Sequence, residues 1–205
     1  MADQVQELLN VYDAEGRVVG SMTRGDAKAQ GFAAGAVQLL LVNAHGDVLL
    51  QRRREDKENG GLWDKSVGGH VQAGESFDDA LVRESNEELF GSATAHKVIL
   101  VNELANGPSE RHPVIARQVR VELGLRDIRY GSSESRSLIN VTYHAAMYLG
   151  RTLLPISAFA PQQEELADLR FFTPAAIDKM LVSGELAPNM GFFWFALGGL
   201  ATSRW

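Results

Sequence analysis

Apolar residues fall along this chain in short runs separated by turn-forming residues, a pattern that predicts mostly strands. Ala36 to Val42 (AVQLLLV) and Val48 to Arg52 (VLLQR) are two such runs, and Asn43-Ala44-His45-Gly46-Asp47 between them has turn composition. Glu7 to Val11 and Arg17 to Ser21 flank Asp13-Ala14-Glu15-Gly16 in the same way. A β-hairpin is therefore predicted within about residues 5–25. Lys65 to Val67, Val98 to Leu104, Leu138 to Leu149 and Leu169 to Phe172 also read as strands. Pro113 to Leu123 fits two readings. Ile115, Val119 and Leu123 are spaced by four as on a helix, whereas Ile115, Arg117, Val119 and Val121 alternate as in a strand.

Helix is predicted where Ser76 can cap a segment from Phe77 to Leu89. Thr173-Pro174-Ala175-Ala176 opens another with proline at its first position, and Phe192 to Leu200 suits a further one, so helices occupy about residues 174–205. Strands and helices in this order suit a sheet layered between helices. With 205 residues and 45% hydrophobic content, the chain can bury one sizeable core, and one domain over 1–205 is expected.

A net charge of −6 provides no basic footprint for nucleic acid. An acidic protein can still act on anions where a metal supplies local positive charge. The absence of cysteine excludes disulfides, thiol nucleophiles and thiolate metal sites, and is compatible with a reducing cytosol. MADQVQELLNVYDAEG lacks the basic start and apolar core of a signal peptide, and no run approaches the ~18 apolar residues of a membrane span. A soluble, cytoplasmic protein is expected.

The chemistry is concentrated in GHVQAGESFDDALVRESNEE, Gly69 to Glu88. On a helix, Glu84, Glu87 and Glu88 fall within an arc of about 100°. Like charges at these spacings repel, and helix stability does not call for them. A bound cation removes the conflict. All-oxygen ligands suit a hard ion that bridges to phosphates, Mg²⁺ or Mn²⁺ rather than zinc.

This spacing resembles the Nudix box, which reads glycine, five residues, glutamate, seven residues, Arg-Glu, an apolar residue, any residue, Glu-Glu, any residue, glycine and an apolar residue. Gly69, Glu75, Arg83, Glu84, Glu87 and Glu88 match it, within a box spanning 69–91. With each type at roughly 6% of average composition, a chance match is on the order of 10⁻⁵. The resemblance covers about residues 5–180 and implies an α/β/α Nudix sandwich with a mixed β-sheet and the N-terminal hairpin. It also implies metal-dependent hydrolysis of a diphosphate linked to another moiety, with Glu84, Glu87, Glu88 and the carbonyl of Gly68 as ligands. Arg83 would reach Glu87 along the helix and, by the resemblance, Glu75, holding carboxylates without binding metal.

Two features depart from the box. Ser85 replaces an apolar residue and would face the core, where the carbonyl one turn back can satisfy its hydroxyl. Phe90 holds the usual glycine position and Gly91 arrives one residue late, which alters the helix end.

The stretch LLQRRREDKENGGLWDKSVGGHVQAGES is similar to the isopentenyl-diphosphate-isomerase-like branch. True isomerases carry a catalytic cysteine just before the Gly-His, and this chain has Gly68 there. Hydrolysis is therefore preferred over isomerisation. A non-catalytic Nudix module binding a nucleotide or protein has no need for every charged box position. Arg52, Arg53, Arg54 and Lys57 are candidates to grip substrate phosphates. Glu164 and Glu165 stand where many Nudix enzymes place a late glutamate that completes the metal site or acts as base. His70 is assigned a structural or substrate-adjacent place, and Trp63 with Phe192 to Phe195 a place in the core or in a homodimer contact. The expected partner is a small-molecule diphosphate, with no nucleic-acid scaffold and no membrane.

Overall fold

Strand β3 (Ala33–Asn43) is apolar on both faces, and the fold is built around it. Alternating side chains of a strand point to opposite faces. Leu40 and Val42 accordingly enter one core with Ile177, Met190 and Phe193, while Val37, Leu39 and Leu41 enter another with Ala80, Leu81 and Leu89. This computed structural model describes residues 7–91, 97–131, 138–161 and 166–201.

The other main strands are β4 (Val48–Arg53), β7 (Val98–Leu100), β8 (Val114–Tyr130), β9 (Leu138–Thr152) and β10 (Leu166–Phe172). The sheet order is β10-β4-β3-β9-β8-β7. β3 pairs parallel with β9 and β7 parallel with β8, whereas β4 on β3 and β8 on β9 are antiparallel. The sheet is thus mixed. The hairpin β1 (Leu8–Tyr12) and β2 (Val18–Thr23) joins it through Val11 and Tyr12 of β1, which pair with Ala34 and Ala33.

Helix α2 (Phe77–Phe90) covers one face of the sheet, and α3 (Pro174–Ser183) and α4 (Pro188–Ala201) cover the other. This is the expected α/β/α sandwich. Among the described residues no helix is long and apolar enough to cross a membrane. Phe193 and Trp194 lie in the core on the α4 side with Trp63, whose ring meets Phe172 edge-on at 4.7 Å. Phe195 points outward.

Several elements differ from the expectation. A short helix α1 (Arg24–Gln30) follows the hairpin, capped by Thr23 and closed by Gly31 at φ 77°. Pro113 to Leu123 is strand, part of the long β8, because β9 lies antiparallel along it with bulges at Gln118/Arg120 and Glu122/Leu125. The bulges explain why its alternation is imperfect. Val98 to Leu104 is strand only as far as Leu100.

Lys65 to Val67 is not one strand either. β3 and β4 pair only at Leu41 with Leu49 and Val42 with Val48, and then diverge. The chain bridges that split with two short strands, β5 (Trp63–Asp64) on β4 and β6 (Val67–His70) on β3. Between them Ser66 pins the two sides, its hydroxyl donating to Leu49 O at 2.5 Å and accepting from Leu41 N at 2.8 Å. Lys65 lies at the base of the opening.

Candidate active site

The box helix α2 begins where Ser76 accepts from Asp79 N while the Asp79 carboxylate accepts from Ser76 N, a reciprocal capping box. A cap of this kind stabilises a helix by roughly 1 kcal/mol. It ends at Gly91, left-handed at φ 69°, whose N–H returns to Asn86 O and Glu87 O. The late glycine therefore caps a helix one residue longer, with Phe90 inside it. Ser85 does face the core, but its hydroxyl is buried without a hydrogen-bond partner, so the expected bond to the preceding turn is not made.

Arg83 is the hub of the carboxylate face. Its Nε and Nη2 donate to the two oxygens of Glu75 at 2.7 and 2.9 Å, and Nη2 also donates to His70 O at 2.9 Å. Its Nη1 lies between Glu84 (2.9 Å) and Glu87 (3.2 Å). The guanidinium thus links the helix to the turn and to the end of β6. Burial opposes its charge, yet Glu75 and Glu84 outweigh that and raise its pKa further. The Glu75 carboxyl, which burial alone would push up, is held low by Arg83 and by the N–H of Gln72.

Glu84 also accepts from His70 N at 3.2 Å, and a Cβ on Gly69 would lie inside its carboxyl group. A side chain at 69 would therefore displace the Glu84 carboxylate from this position. Glu88 accepts through one oxygen from Gly68 N at 3.0 Å and from the Gln51 amide at 3.5 Å. Burial, and then the charge of Glu84, push the Glu88 carboxyl up to about 8, against the pull of Gly68 N, Arg53 and Lys65. Burial raises the Glu84 carboxyl as well, in spite of Arg83.

These groups form one wall of a cavity of about 510 Å³ at the split between β3 and β4. Arg24, Lys57 and Arg129 line it away from the box helix, while Arg53 and Lys65 are near enough to Glu88 for their charges to act on its carboxyl. Glu58 holds two of them: Arg24 Nη2 reaches it at 2.8 Å and Arg129 Nη1 at 3.1 Å. Arg129 is fixed from behind by Asp127, fully buried, at 2.7 Å, and lies 5.3 Å from the Tyr143 ring centroid. Burial would raise the Glu58 carboxyl, but Arg24 and then Arg129 hold it below its ordinary range. His70 reaches Tyr143 Oη at 3.2 Å; burial, then Arg129 and Arg24, push its imidazole down to about 3, so it is neutral.

Of the basic residues singled out in the sequence, Arg53 and Lys57 line the cavity. Arg52 and Arg54 do not: Arg52 turns to Gly61 O (2.9 Å) and Glu55 (3.7 Å), and Arg54 to Asp56 (3.0 Å). Alternation along the end of β4 sends neighbours to opposite sides. Glu164 and Glu165 lie outside the described residues. Arg24, Glu58, Lys65 and Arg129 escaped the sequence reading; an alternating basic residue on a long strand and a cation after a hairpin carry no local signature. Among the described residues no three Asp, Glu or His side chains converge on one point.

A carboxylate helix tied to its turn by one arginine, beside a split between two inner strands of an α/β/α sandwich, defines a Nudix fold. The chain belongs to the Nudix family, whose NUDIX domain model matches residues 33–190. It is 40% identical over 190 residues to an uncharacterised Nudix hydrolase of Streptomyces coelicolor, covering 92% of this chain and 87% of that one. It is also 33% identical over 95 residues to an isopentenyl-diphosphate Δ-isomerase of Serratia proteamaculans, covering 46% of this chain and 53% of that one. A crystal structure of a Deinococcus radiodurans protein superposes with a TM-score of 0.61 at 20% identity, covering 91% of this chain and 96% of the other. That likeness shows the fold.

Proposed function

We propose that this Nudix protein hydrolyses a diphosphate linked to another moiety, using Mg²⁺ or Mn²⁺. The observation that carries the reading is the cavity itself, lined by the carboxylates of the box helix and by the cations Arg24, Arg53, Lys57, Lys65 and Arg129. A diphosphate bridged to a metal presents both a cation and negative oxygens, which is the complement of that lining.

Glu84, Glu87, Glu88 and the carbonyl of Gly68 would hold the ion. The donor set is all oxygen, and Glu88 is a buried carboxyl that its surroundings leave short of positive charge, so the residues fit a hard divalent cation. When bound, the ion would neutralise charge building on the phosphate oxygens and activate the attacking water. Arg83 keeps Glu75, Glu84 and Glu87 oriented. Arg53, Lys57, Arg24 and Arg129 would bind and align the diphosphate, restricting it to one approach. One oxygen of Glu88 is engaged by Gly68 and Gln51, which leaves the other to hold the ion or take a proton from water.

Partial likeness to an isopentenyl-diphosphate Δ-isomerase favours a second reading, isomerisation. That reaction needs an acid and a base on opposite sides of an unactivated double bond, and the chain has no cysteine to supply one of them. The two readings part in heavy water. Incubated with Mg²⁺ and a panel of diphosphate-linked metabolites, the protein should release phosphate or a monophosphate from at least one, and a chelator should stop it. Isopentenyl diphosphate should gain no deuterium. Deuterated allylic product, or turnover that survives removal of the metal, would overturn the reading.

A further inference from the structure

Lys65 crosses the face of Gly68. A Cβ on Gly68 would lie 2.5 Å from Lys65 Cε and 3.3 Å from its Nζ, so the lysine occupies the volume that a side chain at 68 would take. Its ammonium comes to rest in the cavity wall beside Gly68, Gln51 and Glu88. It is buried, with 6% of the side chain exposed, and donates to Asp64 Oδ1 at 3.1 Å. The Phe193 ring lies 5.8 Å away on the other side. Burial alone would raise the Asp64 carboxyl, but Lys65 outweighs it and keeps the carboxyl charged.

An ion pair this deep is a poor way to stabilise a sheet, since well-packed apolar residues of the same volume do as well or better. An ammonium has three donors, and Asp64 takes one. The same cavity is lined by Gln38 and Gln51, each buried with its side-chain carbonyl oxygen unpartnered. Buried polar groups left unsatisfied around a cavity mark a place that a polar ligand completes. The charge faces the carboxylate wall, where a phosphoryl group bridged by a cation would lie.

We propose that Lys65 is a catalytic residue that binds a phosphoryl oxygen of the substrate at the floor of the cavity, with Asp64 as its positioning residue. The inference rests on the diphosphate reading above. The lysine adds a fixed positive charge from within the protein, beside Gly68 and near Glu88, and Gly68 is the opening that lets it pass. Its ammonium serves as a charge, and no proton moves.

Methylenediphosphonate, a diphosphate analogue that cannot be cleaved at its bridge, separates contact from turnover. Its binding in the presence of Mg²⁺ is measured by calorimetry for the wild type, Lys65→Met, Lys65→Arg and the double variant Asp64→Asn/Lys65→Met. Loss of a charge-assisted contact should weaken binding about 10- to 100-fold in Lys65→Met. That single variant leaves Asp64 buried without its partner and should melt lower. The double variant removes both charges and should regain thermal stability while binding as weakly as Lys65→Met, and Lys65→Arg should recover part of the affinity. Binding restored in the double variant would show that Lys65 serves the fold alone, and binding unchanged in Lys65→Met would likewise overturn the proposal. If the wild type does not bind the analogue, the diphosphate reading fails and the lysine's role with it.

Discussion

Replacing Arg83 with methionine keeps most of the stem and removes the charge that four groups share. The side chain is 17% exposed, and its partners Glu75, Glu84 and Glu87 are 20%, 14% and 33% exposed, so the network is neither fully buried nor fully screened. Breaking a buried pair costs about 3–5 kcal/mol and losing an exposed one at most about 1. Intermediate burial places the expected loss at about 2–3 kcal/mol. For a domain of this size each kcal/mol shifts the melting temperature by roughly 2–4 °C, which predicts a fall of about 4–12 °C. Turnover should fall as well, by about 10²-fold, because Glu84 and Glu87 lose the group that fixes their position. Thermal melting followed by circular dichroism, with single-turnover kinetics on the best diphosphate substrate, measures both. Lost activity with an unchanged melting temperature would refute the structural role and make Arg83 a direct substrate contact.

Glu87→Gln and Glu88→Gln should leave the fold intact and slow turnover by roughly 10²–10⁴-fold; near-wild-type kcat in both would move the chemistry off this helix. The Glu58 carboxyl, held below its ordinary 4.5 by Arg24 and Arg129 against the effect of burial, contributes stability that is fully present above pH 4.5 and fades as acid protonates it. A melting-temperature series from pH 6 to pH 3 should therefore fall less steeply in Glu58→Gln than in the wild type, and parallel curves would show that the two arginines do not depend on it.

The carboxylate half of the site was legible because it is local. Gly69, Glu75 and the Arg83-to-Glu88 cluster lie within one turn and one helix, so their spacing is also their geometry. The cationic half is not local. Arg24 opens a helix, Lys65 lies in a link between two-stranded pairings, and Arg129 reaches the cavity only because β8 runs far past its bulges to bring Tyr130 against Asn59. No periodicity in the sequence encodes that approach. Helix α1 did leave a trace, Thr23 with Asp26 at one end and Gly31 at the other, but its single buried residue, Ala27, gave no apolar stripe to notice. The Val98–Leu104 run promised a longer strand than the sheet edge uses, as burial rather than pairing accounts for Leu104, which packs in the core.

His70 belongs to both halves. Its main chain serves the acidic wall, donating to Glu84 and accepting from Arg83, while its ring meets Tyr143, over which Arg129 lies. The box helix carries the carboxylates, while the α1 start, the Lys57–Asn59 loop and the far end of β8 carry Arg24, Lys57 and Arg129. The consequence is a division of labour: the carboxylates are set by contacts within the box helix and its turn, so Arg24 and Arg129 can be replaced without unseating them, and His70 is where the two groups are stitched together.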